Sequence, residues 1–488
     1  MLKIKTIDLK EEIEALLIPV CQDRQIHDDP QVVRMIDSAL VFDEFKGKKK
    51  EVIILHHPAD TGVVRAIFMG LGEAEKVDAE ALRSLAGRAV YGCIERGGKT
   101  LSIVCPKSGS VGMDVAVATE ALLEGAFLGN HLFDRFRSEK KDAPLAAIAL
   151  LTAQGEGERI SRILKRVAVV CGGTLQAREW VSMPPNEKRP PVFADAIVRW
   201  AGKANVAAHV LDEQAIAKEN MGALMAVAAG SLAPPRLVVL DHNPEGASQT
   251  VVLVGKGVTF DSGGINLKST EGLKDMKMDM GGAAAVAGAV IAAAGLSVAT
   301  RVVGVIPIVE NMPSGTAYRP GDVVRGVAGK RIEIGNTDAE GRLILADAIA
   351  WAQKCYKPDI LIDLATLTGA CVMALGDKIA GVFSQDDVLA GRIVAAGENT
   401  FERCWRMPMP EDYRALLKSE LADISNMSSS KWGGAITAAL FLSEFAEGTR
   451  WAHIDIAGPA HSGKKSDYCG AGGTGFGVRL LCDLLENL

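Results

Sequence analysis

The chain lacks every thiol pattern that would staple it. Its nine cysteines, at positions 21, 93, 105, 171, 355, 371, 404, 469 and 482, are odd in number and none stands in a CxxC pair. Neither a disulfide framework nor a thiolate zinc site is indicated, and reduced thiols in a cytoplasm fit best. No HExxH occurs and the eight histidines show no ligand spacing, which sets aside the helix-borne zinc site. The G-x-S-x-G nucleophile elbow is also absent. There is no excess of positive charge: the net charge is −6. Overall electrostatics therefore give no case for nucleic acid as the main partner, and a small molecule or peptide is the better expectation. The opening residues MLKIKTIDLKEEIEALLIPV place Asp8, Glu11, Glu12 and Glu14 where a secretory leader needs an unbroken apolar run. A cytoplasmic location is the expectation.

What is present is ordinary for a soluble globular protein: 488 residues, 48% hydrophobic and 23% charged, with 51 glycines and 19 prolines. A chain of that length holds about two to four domains and buries roughly three quarters of its unfolded surface. The stretch Met280 to Ala299 carries no charge for twenty residues. It is mostly Ala and Gly and lacks flanking aromatic anchors, so it reads as a buried helix and no membrane partner is expected.

The first 150 residues alternate apolar runs with helix-like or turn-rich segments: ALLIPV, ALVF, EVIILHH, RAIFMGLG, LSIVCP and AAIALLT. Such alternation predicts an α/β layer domain with a largely parallel sheet. The cluster Lys46-Gly47-Lys48-Lys49-Lys50 falls between two of these runs and reads as a solvated hairpin turn. Residues 155–183 have helical spacing and stop at Pro184-Pro185, which predicts a linking helix and then a domain boundary. Beyond it RLVVLDH, TVVLVGKG, TRVVGVIPIV, DILIDLATLTG and WAHIDIAG predict a larger α/β domain over 184–488, with helices on both faces of a mixed, mainly parallel sheet. Ligands gather beyond the carboxyl ends of strands in such sheets.

The polar groups collect there. Lys256 and Asp261 stand among the glycines of VGKGVTFDSGG, and Lys268 follows. Asp279 ends DMKMD just before the Gly/Ala helix, where a carboxylate meets the positive end of a helix dipole. Asp338 and Glu340 in NTDAEGRL are two apart, which in an extended segment turns both to one side. Four carboxylates so placed repel one another unless cations intervene, and hard oxygen donors suit magnesium, manganese or zinc. The G-x-G-x-x-G match at Gly470 to Gly475 follows polar KKSDYC and opens no βαβ unit, so it is set aside.

The segments VGKGVTFDSGGINLKS, DMKMDMGGAAAV, NTDAEGRL, DLATLTGA and WAHIDIAG resemble the successive motifs of the leucyl aminopeptidase family, the two-metal cytosol aminopeptidases. The resemblance implies an N-terminal macro-like α/β domain over 1–154, a linking helix over 155–183 and a catalytic domain over 184–488, assembled as a homohexamer. It implies two divalent ions, manganese or zinc, on Lys256, Asp261, Asp279, Asp338 and Glu340. Lys268 and Arg342 would be catalytic, Arg342 holding a bicarbonate that relays a proton. Met276, Thr366, Gly369 and Ala457 would form the side-chain pocket. Paired cations lower the pKa of a bridging water and polarise the peptide carbonyl. Lys268 would face the oxyanion, and Lys256 would be a neutral amine with a depressed pKa. The substrates are unblocked peptides with a leucine-like first residue. Duplex DNA is a less favoured second partner, through Lys46–Lys50 and Arg135–Lys141. A dipeptidase is the alternative hydrolase.

Overall fold

The computed structural model describes residues 2–152 and 157–488. The chain divides into two compact units, residues up to 171 with 464–471, and residues 172–463 with 472–488. A helix of 26 residues, Gly157–Ser182, runs through the division at 171/172. The expected boundary at 154/155 lies outside the described residues.

The first unit is built on six strands: β1 (Leu2–Thr6), β2 (Ile13–Cys21), β3 (Val52–His56), β4 (Val63–Gly72), β5 (Thr100–Val104) and β6 (Ala147–Thr152). Their order is β1-β6-β5-β2-β4-β3, and all neighbours are parallel except β3 on β4. One run departs from its expected type. ALVF is not a strand, because Ala39 and Leu40 end the helix Pro30–Leu40. Asp29 caps that helix by accepting from the amides of Gln31 and Val32, Pro30 sits at its first position, and Val32, Met35, Ile36 and Ala39 are buried at helical spacing. A cap, a favourable proline and a 3–4 periodicity together outweigh four apolar residues in a row. The lysine cluster therefore links a helix to β3 instead of turning a hairpin. Lys46 Nζ donates to the Leu40 and Phe42 carbonyls, and Glu51 accepts from the Lys46 and Lys48 amides.

The second unit contains β7 (Ala207–Leu211), β8 (Arg236–His242), β9 (Thr250–Gly255), β10 (Gly257–Asp261), β11 (Arg301–Asn311), β12 (Val323–Arg325), β13 (Arg331–Glu333), β14 (Ile360–Ala365), β15 (Ala380–Phe383), β16 (Cys404–Arg406), β17 (Ile424–Ser425) and β18 (Arg450–Asp455). The main sheet runs β16-β15-β18-β14-β9-β11-β8-β7, with β10 also on β11; β12, β13 and β17 form a separate small sheet. The contiguous strands β18, β14, β9 and β11 are mutually parallel, and β10 is parallel to β11. Side chains alternate across that sheet. Val252 and Val254 of β9 and Val303 and Val305 of β11 pack with Leu343, Ile344 and Leu345 of the helix Gly341–Tyr356. Gly304, between the latter two valines, faces Val286 and Val290 of the helix Gly281–Leu296 on the opposite side. Both faces are thus covered, as parallel sheets require. The uncharged Ala/Gly stretch is that second helix, buried from Gly281 to Ala293 and ended by Ser297 in the left-handed conformation.

Candidate active site

Five parallel strands deliver their carboxyl ends to one edge of the second unit. Lys256 is the single residue between β9 and β10, Asp261 is the last residue of β10, Asn311 ends β11, Thr366 follows β14, and Ala457 lies just past β18. Two helix starts complete the edge. Asp279 lies two residues before the helix Gly281–Leu296, and Glu340 is the N-cap of the helix Gly341–Tyr356.

Lys256 is buried, and its Nζ donates to Asp279 Oδ1 and the Thr366 carbonyl at 2.8 Å each while lying 2.9 Å from Glu340 Oε1. Gly341 is what leaves room for it: a Cβ there would stand 2.6 Å from Lys256 Cε. Lys268 bridges a second pair, 2.8 Å from Asp261 Oδ2 and in contact with Asp338. Asp338 and Glu340 do not lie in an extended segment. The Asp338 amide donates to Asn336 Oδ1 and the Ala339 amide to the Asn336 carbonyl, a tight turn of the kind asparagine favours. One oxygen each of Asp261, Asp338 and Glu340 nevertheless falls within 4.8 Å of the others, a group fit to hold a metal ion.

The charges do not balance. Four carboxylates face two ammonium groups. Burial pushes the Asp261 carboxyl up to about 6, the Glu340 charge adding to it and Lys268 and Lys256 opposing. Burial likewise carries Asp279 well above the usual carboxylate range, against the pull of Lys256, and raises Asp338. Asp279 Oδ2 is buried with no hydrogen-bond partner. Upshifted carboxylates and an orphaned oxygen are what a site for added cations shows when only its own lysines face it. Burial disfavours the Lys256 ammonium, but Asp279, Glu340 and Asp261 outweigh it and hold its pKa above the ordinary lysine value. The neutral amine expected from the sequence therefore requires cations that take over those carboxylates.

Arg342, in the first turn of its helix, is buried, and Nη1 donates to the Asn426 carbonyl at 2.8 Å. Its Nε has no partner, and among the described residues no carboxylate forms an ion pair with it. Burial lowers its pKa to about 10, with Glu340 and Asp455 opposing. A buried guanidinium with an unpartnered Nε suits a small planar anion.

Of the expected pocket residues, three are gathered by Asp455. Its Oδ1 accepts from the Leu367 and Ala457 amides and its Oδ2 from Thr368 Oγ1, which fixes the loop carrying Thr366 and Gly369 beside Ala457. A Cβ at Gly369 would meet nothing within 4 Å, so the backbone there borders open space. Thr366 also donates its hydroxyl to Asp279 Oδ1 at 2.8 Å. Met276 joins through the backbone, its carbonyl accepting from the Asp279 amide. Asn311, Asn426 and Asp455 were not singled out from the sequence, although Asn311 and Asp455 end parallel strands and the carboxyl-end rule points at such positions.

Residues 175–482 match the model of the cytosol aminopeptidase family, catalytic domain, and residues 30–140 that of the same family's N-terminal domain. A probable cytosol aminopeptidase of Chlorobium limicola is 44% identical over 92% of this chain and 91% of its own, and one of Chlorobium phaeobacteroides is 41% identical over 98% and 97%. Among solved structures, a bottromycin maturation enzyme in complex with Mn superposes with a TM-score of 0.87 at 36% identity, covering 98% of this chain and 99% of that one. A tomato leucine aminopeptidase mutant gives 0.88 at 32% identity, covering 100% and 96%. With both domain models matched in order and relatives of this identity spanning nearly the whole chain, the protein belongs to the cytosol aminopeptidase family and is a peptidase of two-domain, mixed α/β architecture.

Proposed function

We propose that the protein is a two-metal aminopeptidase that removes leucine-like N-terminal residues from unblocked peptides in the cytoplasm, as a homohexamer. Its domains would be 1–154, a linking helix over 155–183, and a catalytic domain over 184–488. Asp261, Asp279, Asp338, Glu340 and Lys256 would hold two divalent ions, manganese or zinc; the manganese in the bottromycin maturation enzyme makes that ion the first to test. When bound, the ions supply a hydroxide near neutral pH and polarise the scissile carbonyl. The observation that carries this reading is the under-neutralised carboxylate cluster with its orphaned Asp279 Oδ2.

Lys268 is the more exposed of the two lysines and keeps its ammonium above the usual lysine range, because Asp261 and Glu340 outweigh its burial. A permanent cation there can stabilise an oxyanion without a proton transfer. Arg342 would grip bicarbonate as the proton relay. Met276, Thr366, Gly369 and Ala457 would form the wall that takes the first side chain. Hydrolysis of a panel of aminoacyl amides by chelated enzyme, before and after adding Mn²⁺ or Zn²⁺, tests the reading. Activity should vanish on chelation, return with metal and be absent on N-acetylated peptides. Full activity in chelator would end it.

A further inference from the structure

Asn311 ends β11 and is fully buried. Its side-chain amide has two N–H groups, and each is used on a different ligand-bearing loop. Nδ2 donates to Asp261 Oδ1 at 2.8 Å and to the Thr337 carbonyl, beside Asp338, at 2.9 Å. Because both partners are pure acceptors, the amide can stand only in this orientation. The cost of that choice is visible: Asn311 Oδ1 is buried with no donor, pressed toward Gly264, where a Cβ would come within 2.9 Å of it and φ is +65°. An apolar residue of similar size would avoid the orphaned acceptor. What it could not do is donate twice. The backbone of Asn311 adds to the clamp, its carbonyl accepting from the Ser262 amide at 3.0 Å and Ser262 Oγ at 2.7 Å.

The effect on Asp261 is specific. Asn311 Nδ2 and the Gly263 amide, at 2.9 Å, both bind Oδ1, which fixes the carboxylate plane and leaves Oδ2 turned to Lys268. Two donors on one oxygen and none from the backbone on the other is how outer groups orient a ligand. On the Thr337 side Tyr318 Oη shares the same carbonyl at 2.7 Å, so that carbonyl keeps a donor without Asn311, and Thr337 Oγ1 ties the two loops directly by donating to the Gly263 carbonyl at 2.6 Å. On Asp261 Oδ1 the Gly263 amide would remain, from within its own loop.

We propose that Asn311 is a positioning residue for the metal site, setting the distance between the Asp261 loop and the Asp338–Glu340 loop and thereby the affinity for divalent cations. This inference rests on the two-metal reading above, and the test separates the two. Mn²⁺ binding is followed by calorimetry with chelator competition on the full-length protein, alongside melting in excess chelator. Wild-type protein that binds no Mn²⁺ would sink the metal reading itself. Given wild-type binding, Asn311→Ala should melt in chelator close to wild type yet bind Mn²⁺ about 10- to 100-fold more weakly, the usual effect of losing an orienting partner. Its kcat should recover at saturating Mn²⁺. Asn311→Leu, which keeps the branching at Cγ and removes the orphaned acceptor, should do the same. Tyr318→Phe, which spares Asp261, should keep wild-type affinity. Unchanged affinity in a folded Asn311 variant, an equal loss in Tyr318→Phe, or failure of both Asn311 variants to fold in chelator would each overturn the proposal.

Discussion

Lys256 Nζ lies 2.9 Å from Glu340 Oε1, and both side chains are almost wholly removed from water. Glu340 is the N-cap of the helix Gly341–Tyr356 and Lys256 the junction of two strands, so one ion pair locks a helix start onto the sheet edge. Burial raises the Glu340 carboxyl, but Lys256 and then Lys268 outweigh it and hold it below the usual range. Breaking such a pair from one side strands a buried charge, which is far costlier than never having built it.

The two lysines should therefore fail differently. Lys256→Ala should lower metal affinity, with excess Mn²⁺ restoring part of the activity. Lys268→Ala should retain both ions yet lose roughly 10²- to 10³-fold in turnover, the scale for removing one oxyanion donor. Elemental analysis beside turnover decides it: a missing ion in Lys268→Ala, or unchanged affinity in Lys256→Ala, would reverse the roles.

Arg342 is expected to answer to bicarbonate. In bicarbonate-free buffer, added bicarbonate should raise wild-type turnover, whereas Arg342→Ala should be slower by about 10²-fold, the low end for losing a positioned proton relay, and should not respond. An equal response in both proteins would detach bicarbonate from Arg342.

His453 and Asp363 offer a pH test at a pair outside the carboxylate cluster. On neighbouring parallel strands they pair at 2.6 Å, wholly buried, and Trp451 Nε1 donates to the other Asp363 oxygen at 2.8 Å. Burial lowers the His453 pKa, but Asp363 outweighs it and the net shift is upward. A histidine raised on folding contributes stability that is full below its unfolded pKa, near 6.5, and is lost as pH rises through the folded value. His453→Gln should accordingly cost more stability at pH 6 than at pH 9 in denaturant titrations. A cost independent of pH would show that folding leaves the histidine pKa unshifted, and a cost larger at pH 9 than at pH 6 that the folded histidine is held neutral.

Assembly and nucleic acid can be tested together. Sedimentation at micromolar concentration should give a homohexamer, and a monomer would refute that part of the proposal. Duplex DNA should produce no mobility shift at physiological salt; a shift that weakens steeply as salt rises would instead establish phosphate binding by the basic clusters.

Strand cores and chemical motifs were legible in the residues because both are local. RLVVLDH became β8 residue for residue, and TVVLVG became β9, since a continuous β-branched run buried on both faces has few alternatives. The residue types of VGKGVTFD and NTDAEGRL announced a carboxylate and lysine cluster without any coordinates. Short or weakly apolar strands were not legible: AAHVL and AGVF became β7 and β15 only because neighbouring strands offered backbone partners, which no local pattern records. The Ala39 and Leu40 half of ALVF went to a helix because Asp29, ten residues before Ala39, and the Pro30 that follows it had already started one. Which carboxylate meets which lysine was decided by the tertiary structure alone. Lys256 reaches Asp279 and Glu340 while Lys268 reaches Asp261 and Asp338, because parallel pairing around β9 and β11 sets the height at which each loop leaves the sheet. The orienting groups Asn311 and Asp455 follow the same rule: an asparagine or aspartate at a strand end is unremarkable in sequence and acquires its role only when folding brings two other loops within hydrogen-bond reach.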